Sequence, residues 1–340
     1  MKCVVIEEPK KVCLKDLPLP ELRKDFARIK VKAAAICATD LEVVDGNIPA
    51  NYPLFPGHEW SGIVSEVENP AHAHWIGKRV TGSNDVVCGV CEACRSGNWR
   101  YCKDFEEIGF KQPGAYAEYI DVPVYGLVEL PESLPFEYAA LAEPMGVALG
   151  VWEKAEPKIG KTCLIYGAGS IGLCCLIVAK NLGLRNIVVV ATSMDRLNVA
   201  TQLGADYVIA TREQDIFEEM KKIHPDGTDY IIEATGIEEC ISNSFKLCKK
   251  GGSVLLAGYG RGKTMQIRID DIHVNNLKVI GAGNNWNQHK KAIELMSEKN
   301  INMSLMVSEK IKLEDFSRGL EYARKRPPNF VKAIFTFGDE

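Results

Sequence analysis

Four cysteines packed into one short stretch, Cys88, Cys91, Cys94 and Cys102, constrain this chain more than any other feature. Gaps of two, two and seven residues allow one small lobe to wrap four thiolates round a single ion, and four sulfurs are a ligand set of structural zinc. Two disulfides are the competing reading. Twelve cysteines in 340 residues without a secretory leader speak against it, because they suggest a reducing compartment. A site closed by four thiolates has no position left for substrate. It can staple a lobe of about residues 86–104, but a reacting metal has to sit elsewhere.

A chain of 340 residues exceeds the size at which one core stops growing, so two domains are expected. With 46% hydrophobic and 25% charged residues it reads as an ordinary soluble protein, and a formal charge of -4 with no basic run gives no footprint for nucleic acid. No apolar run reaches the length of a membrane span, and the opening Met1-Lys-Cys-Val-Val-Ile6 reads as a first strand rather than a leader. The expected location is cytoplasmic.

Up to about Glu143 the chain shows short apolar runs broken by Pro, Gly and Asn: Ala27 to Ala35, Gly62 to Val67, Arg79 to Thr81, Tyr116 to Val122 and Gly126 to Leu130. This rhythm predicts a strand-rich, barrel-like domain over 1–143 with the cysteine lobe as an insertion. Over 144–283 the rhythm becomes continuous apolar strands alternating with helical patterns, the mark of a parallel sheet covered on both faces. Six strands are expected: Cys163–Tyr166, Ile187–Val190, Tyr207–Ala210, Tyr230–Ile232, Val254–Ala257 and Lys278–Gly281. The tail, 284–340, carries helical patterns near Lys290 to Lys299 and Leu313 to Arg324 and a last strand from Val331 to Phe337. It is expected to return to the first domain.

The strand Cys163–Tyr166 runs straight into Gly167-Ala-Gly169-Ser170-Ile171-Gly172 and then into a helical pattern. In that context the three glycines permit a tight turn, close approach of backbone to a pyrophosphate, and helix-on-strand packing. The helix N-terminus offers its N–H groups to the phosphates. The second strand ends without an acid to bind a ribose diol, while Ser193 and Arg196 could meet a 2′-phosphate and Asp195 could swing in. NAD and NADP both stay open.

Cys37 and Thr39, then Gly57-His58-Glu59, then Glu143-Pro144 supply a thiolate, an imidazole and carboxylates on three separate segments. Three such donors fill three corners of a tetrahedron and leave the fourth open for chemistry. Together with the four-cysteine lobe and the glycine turn, these motifs stand in the order found in zinc-dependent medium-chain alcohol dehydrogenases, and the chain most resembles their polyol (sorbitol-type), sugar-alcohol and threonine branch.

That resemblance implies an α/β protein: a GroES-like β-rich catalytic domain with an inserted doubly wound Rossmann coenzyme domain. It implies two zinc ions per chain, one held by Cys88, Cys91, Cys94 and Cys102 and one catalytic, with NAD or NADP as hydride carrier. Cys37, His58 and Glu143 match the catalytic ligands, and Glu59 matches an acid beside the metal that ligates in some members. Thr39 resembles the hydroxyl that relays the substrate proton. Many relatives place a histidine three residues further on, where this chain has Glu42, which could instead end the relay, bind substrate or lie on the surface. The expected reaction is hydride transfer between NAD(P) and a secondary alcohol of a polyol or sugar alcohol, with or without a phosphate. Threonine, a simple alcohol, or a non-catalytic zinc- and nucleotide-binding role are the alternatives. Glu42, Glu59, Glu143, Asn284 and Asn285 are candidate substrate partners; Tyr52, Phe55, Phe110 and Trp286 are candidate walls, and Arg261 and Lys263 a basic loop. A homodimer or homotetramer is usual in the family.

Overall fold

The computed structural model describes residues 1–48, 50–282 and 288–338. Two compact units emerge: one comprises Met1–Glu143, His289–Pro327 and Lys332–Glu340, the other Pro144–Gln288 and Pro328–Val331. Residues 289–327 and 332–340 thus belong to the first unit. The sequence rhythm ends the middle domain at residue 283, whereas the division falls after Gln288.

In the first unit a seven-stranded sheet runs Glu309–Lys312, Ala333–Thr336, Phe26–Ala35, Glu59–Val67, Arg79–Gly82 and Leu127–Glu129, with Tyr119–Pro123 also paired to Phe26–Ala35. Alternation of side chains along Phe26–Ala35 buries Ala27, Ile29, Val31, Ala33 and Ala35, each at most 1% exposed. Two registers fix the end of that strand. Ala35 lies opposite Glu59 on one side and Ile334 on the other, both antiparallel. One strand's end and its two neighbours' beginnings therefore meet at a single edge of the sheet. Cys37, His58, Glu59 and Lys332 all sit within two residues of those paired positions. The cysteine lobe interrupts the sheet between the short paired strands Asp85–Val86 and Glu106–Glu107.

The second unit holds a six-stranded parallel sheet in the order Tyr207–Ala210, Arg185–Ala191, Thr162–Tyr166, Thr228–Glu233, Cys248–Leu256 and Lys278–Gly281. This is the doubly wound order in which the chain starts at the middle and reverses direction across the sheet. Leu164, Ile165, Val188, Val189, Ile231, Ile232, Val254 and Leu255 are fully buried, which explains why these strands read as unbroken apolar runs rather than alternating ones. Helix Ser170–Asn181 buries every residue from Gly172 to Ala179, including Cys174 and Cys175. Cys3, Cys163 and Cys248 are likewise buried, and none of the twelve cysteines is in a disulfide. No helix among the described residues is long and apolar enough to cross a membrane.

Candidate active site and metal centres

Cys37 ends the run out of strand Phe26–Ala35 and forms the N-cap of helix Ala38–Val44. Asp40, three residues on, accepts a hydrogen bond from the Cys37 backbone N–H at 2.9 Å. Helix capping is thus done by Asp40 and not by Thr39, whose hydroxyl stands 3.6 Å from Cys37 Sγ. His58 and Glu59 arrive on the neighbouring strand. Gly57 precedes them with φ +103, and a Cβ there would lie 2.6 Å from the Tyr116 ring and 2.8 Å from its backbone nitrogen. Only glycine takes that conformation and that space together.

Donor atoms of Cys37, His58 and Glu59 lie within 4.8 Å of one another. Both acids and bases here are sealed in: His58 is 6% and Glu59 1% exposed. His58 Nδ1 stands 3.4 Å from Asp40 Oδ1, while Nδ1 and Glu59 Oε2 are buried without a hydrogen-bond partner. Burial by itself lowers the His58 pKa, but the Asp40 carboxylate and the Cys37 sulfur outweigh it and hold the imidazole well above its ordinary value. A sulfur, a nitrogen and a carboxylate oxygen converging in a largely buried site, with Glu59 Oε2 unpartnered, fit a divalent cation such as zinc, which takes these three atom types. Phe110 covers the His58 ring with centroids 5.1 Å apart and removes solvent from that side.

The resemblance makes Glu143 the third ligand and sets Glu59 beside the metal. Among the described residues the converging set contains Glu59 and leaves Glu143 out. Glu143 opens helix Ala142–Ala155, and desolvation pushes its carboxyl up to about 7, with His58 pulling down and Glu59 pushing up. It is a half-buried acid whose titration responds to both His58 and Glu59.

In the lobe, Cys88, Cys91, Cys94 and Cys102 also converge within 4.8 Å. Their sulfurs stand 3.5 Å (Cys91 to Cys94), 3.6 Å (Cys102 to Cys88) and 3.9 Å (Cys88 to Cys94) apart. A tetrahedron with metal–sulfur bonds of about 2.3 Å has edges of about 3.8 Å, so the four thiols already frame a zinc-sized hole.

At the glycine turn, Gly167 has φ +102, and a Cβ on Gly172 would lie 1.8 Å from the Gly167 carbonyl oxygen. A Cβ on Gly169 would meet nothing within 4 Å, which leaves the approach to the helix N-terminus open. Gly169 caps helix Ser170–Asn181 without a side-chain bond, and Ser170 Oγ is buried without a partner. Ser193 occupies the N-cap of Met194–Gln202, again with its side chain unused for capping, and Arg196 is half-buried in the first turn.

Comparison with known proteins gives the same picture. Residues 23–132 match the alcohol dehydrogenase GroES-like domain and residues 170–298 the zinc-binding dehydrogenase domain. The L-threonine 3-dehydrogenase of Chelativorans sp. (strain BNC1) is 33% identical over 264 residues, 76% of each chain. The chain belongs to the zinc-dependent medium-chain alcohol dehydrogenase superfamily. A sorbitol dehydrogenase of Bacillus subtilis (strain 168) is 29% identical over 329 residues, 95% of this chain and 93% of that one. A crystal structure described as a putative zinc-binding dehydrogenase from Sinorhizobium meliloti 1021 bound to NADP superposes with TM-score 0.91 at 28% identity, covering 99% of both chains.

For a medium-chain dehydrogenase, several sequence-derived pocket candidates need revision. Phe55 packs against the cluster of Cys3, Val5 and Ala117 and belongs to the core. Tyr52 donates its hydroxyl to the Val43 carbonyl at 2.8 Å. Glu42 accepts from Asn47 at 2.7 Å and is half-buried. Arg261 and Lys263 are exposed. Asn284, Asn285 and Trp286 lie outside the described residues. Two residues escape sequence reasoning altogether: Lys332, whose buried ammonium donates to Glu59 Oε1 and, at 3.3 Å, to the Ile36 carbonyl, and Tyr116, which bonds Asp40. A lysine embedded in the apolar run Phe330-Val-Lys332-Ala-Ile-Phe335 is the one available signal.

Proposed function

We propose that this dehydrogenase moves hydride between NAD(P) and a secondary alcohol of a polyol or sugar alcohol, with Cys37, His58 and Glu59 holding the catalytic zinc. The convergence of those three donors within 4.8 Å carries the reading. Zinc held by Cys37, His58 and Glu59 would supply Lewis acidity, lowering the pKa of an alcohol hydroxyl from the region of bulk water, about 15.7, toward neutrality.

The side chains do the rest. Asp40 Oδ1 stands 3.4 Å from His58 Nδ1, which would leave the other ring nitrogen as the metal donor. Phe110 shields the ring from water. Thr39, beside Cys37 Sγ and free of capping duty, is placed to take the proton that leaves the substrate hydroxyl. Glu143, half-buried and held near neutrality, can accept from a hydroxyl on the carbon next to the reacting one or donate to it. This supports a polyol over a simple alcohol, since a second hydroxyl would give that partly desolvated acid a polar partner. The likeness to a sorbitol dehydrogenase points the same way, and L-threonine, which carries an amine beside its secondary hydroxyl, is the second reading.

The glycine turn takes the pyrophosphate on the N-terminus of Ser170–Asn181, with Ser193 and Arg196 at the adenosine ribose. Strand Lys278–Gly281 forms an edge of its sheet, and Ile269, Val274 and Val279 nearby are 67%, 66% and 37% exposed, which supports a homodimer closed along that edge. Twelve cysteines with no disulfide among them support a cytoplasmic address.

The test is metal content with a substrate panel. Two zinc ions per chain, NAD(P) reduction with polyols, and loss of one zinc with all activity but no loss of fold in Cys37→Ser are expected. Two zinc ions retained in Cys37→Ser, or no hydride transfer from any polyol, threonine or short alcohol, rejects the reading.

A further inference from the structure

We infer that Tyr116 is a positioning residue for the catalytic metal, acting through Asp40 on His58; this rests on the proposed metal set of Cys37, His58 and Glu59. Tyr116 is 1% exposed and its hydroxyl stands 2.6 Å from Asp40 Oδ2 and 3.2 Å from the Ala35 carbonyl. A phenol has one proton to give. The shorter contact to the charged acceptor is the bond, in the range of charge-assisted O–H···O pairs.

The consequence lies in how the Asp40 carboxylate is divided. Oδ2 accepts from both the Cys37 backbone N–H and the Tyr116 hydroxyl, at 2.9 Å and 2.6 Å. Oδ1 is left for His58 Nδ1, 3.4 Å away. With two donors saturating one oxygen, the carboxylate plane is fixed and the other oxygen is aimed at the imidazole. Asp40 is itself 2% exposed, so no water competes for it. Nδ1 has no hydrogen-bond partner in the fold and this carboxylate oxygen stands within 3.4 Å of it, so with a metal on the other ring nitrogen the pair would close and set the ring's tautomer and orientation, as outer partners of metal-bound histidines do.

Tyr116 is also held rigidly enough to do this. Its ring meets Phe335 edge-on at 4.9 Å, and its backbone N–H donates to the Pro56 carbonyl at 3.0 Å. The ring fills the space that the missing Cβ of Gly57 leaves free. One side chain therefore braces the turn that delivers His58 and the carboxylate that orients it. The rest of the network would survive loss of the hydroxyl, since phenylalanine keeps each packing contact.

The experiment uses the full-length protein loaded with cobalt in place of zinc and follows metal loss to a chelator, with the thiolate–cobalt absorption reporting each site. Tyr116→Phe is expected to release the catalytic ion about 10- to 100-fold faster than wild type, while the four-cysteine site keeps its ion at the wild-type rate. In an Asp40→Asn background the same substitution is expected to change the rate less than about twofold, because the route through Asp40 is already cut. Wild-type release from Tyr116→Phe, or an equal effect in both backgrounds, overturns the inference. So does a Tyr116→Phe protein whose melting temperature falls while metal retention stays normal. Failure of the metal set itself looks different: wild type and Cys37→Ser would then bind the same single ion.

Discussion

Lys332 and Glu59 stand 273 residues apart in the chain and form an ion pair sealed from solvent, with side chains 5% and 1% exposed. The strand register that sets Ile334 and Glu59 on either side of Ala35 brings them together. One Glu59 oxygen is thereby neutralised and the other left free beside Cys37 and His58. Removing the ammonium would strand a buried carboxylate, which costs about 3–5 kcal/mol. Lys332→Met is expected to lose that much stability without metal and distinctly less with zinc bound, because the cation then compensates Glu59. Urea unfolding with and without zinc checks it; an equal loss in both states would exclude Glu59 from the metal set.

Glu59 is a buried acid and Glu143 a half-buried one, and isosteric amides separate their roles. Glu59→Gln is expected to weaken catalytic zinc binding by at least about 100-fold. Glu143→Gln is expected to keep the ion and to lower kcat/KM most for polyols with a hydroxyl beside the reacting carbon. Zinc content and kinetics on matched diol and mono-alcohol substrates measure both. The opposite pattern would restore Glu143 as ligand.

At the nucleotide turn the glycines differ in what a methyl group would strike. Gly172→Ala drives a Cβ to 1.8 Å from a carbonyl oxygen, so the turn itself must break and the melting temperature fall. Gly169→Ala meets nothing in the fold and is expected to melt like wild type yet bind NAD(P) at least about tenfold more weakly, because the methyl occupies the pyrophosphate's approach. Calorimetric melting and a fluorescence titration distinguish the two.

The lobe holds its sulfurs at tetrahedral spacing, and one substitution should empty it. Cys94→Ser is expected to leave one zinc per chain and to make residues near 86–104 sensitive to proteolysis, with the catalytic ion retained. Two zinc ions in that variant would refute the four-thiolate site.

His289 is buried, and that burial pulls its pKa down to about 4. The unfolded chain takes up this proton near 6.5 and the native state only near 4, so between those values the unfolded state binds more protons. Stability from this group is complete above pH 6.5 and falls as the pH drops through the window, by up to about 3 kcal/mol. His289→Leu is expected to flatten the decline between about pH 7 and pH 4. Urea midpoints across that range test it, and parallel curves for the two proteins would contradict it.

How much is legible in the sequence depends on whether the information is local. The four cysteines lie in one loop, so their spacing already contains their convergence, and the glycine turn is a single strand-to-helix junction. The parallel sheet declares itself because strands buried on both faces, such as Ile187 to Val190, have no polar side to alternate with. Aromatic residues are less legible: Phe55 and Phe110 look alike in sequence, yet one packs in the core and the other covers His58.

The amino-acid order alone determined which chemical groups were present and which segments were strand, turn or helix, because periodicity and short-range spacing act within a few residues. The tertiary structure decided which acid stands with Cys37 and His58, that Lys332 neutralises it, and that Tyr116 fixes Asp40. Each of those depends on side chains meeting within a few ångströms across strands paired from distant parts of the chain, and a one-residue change of register would turn them to the other face.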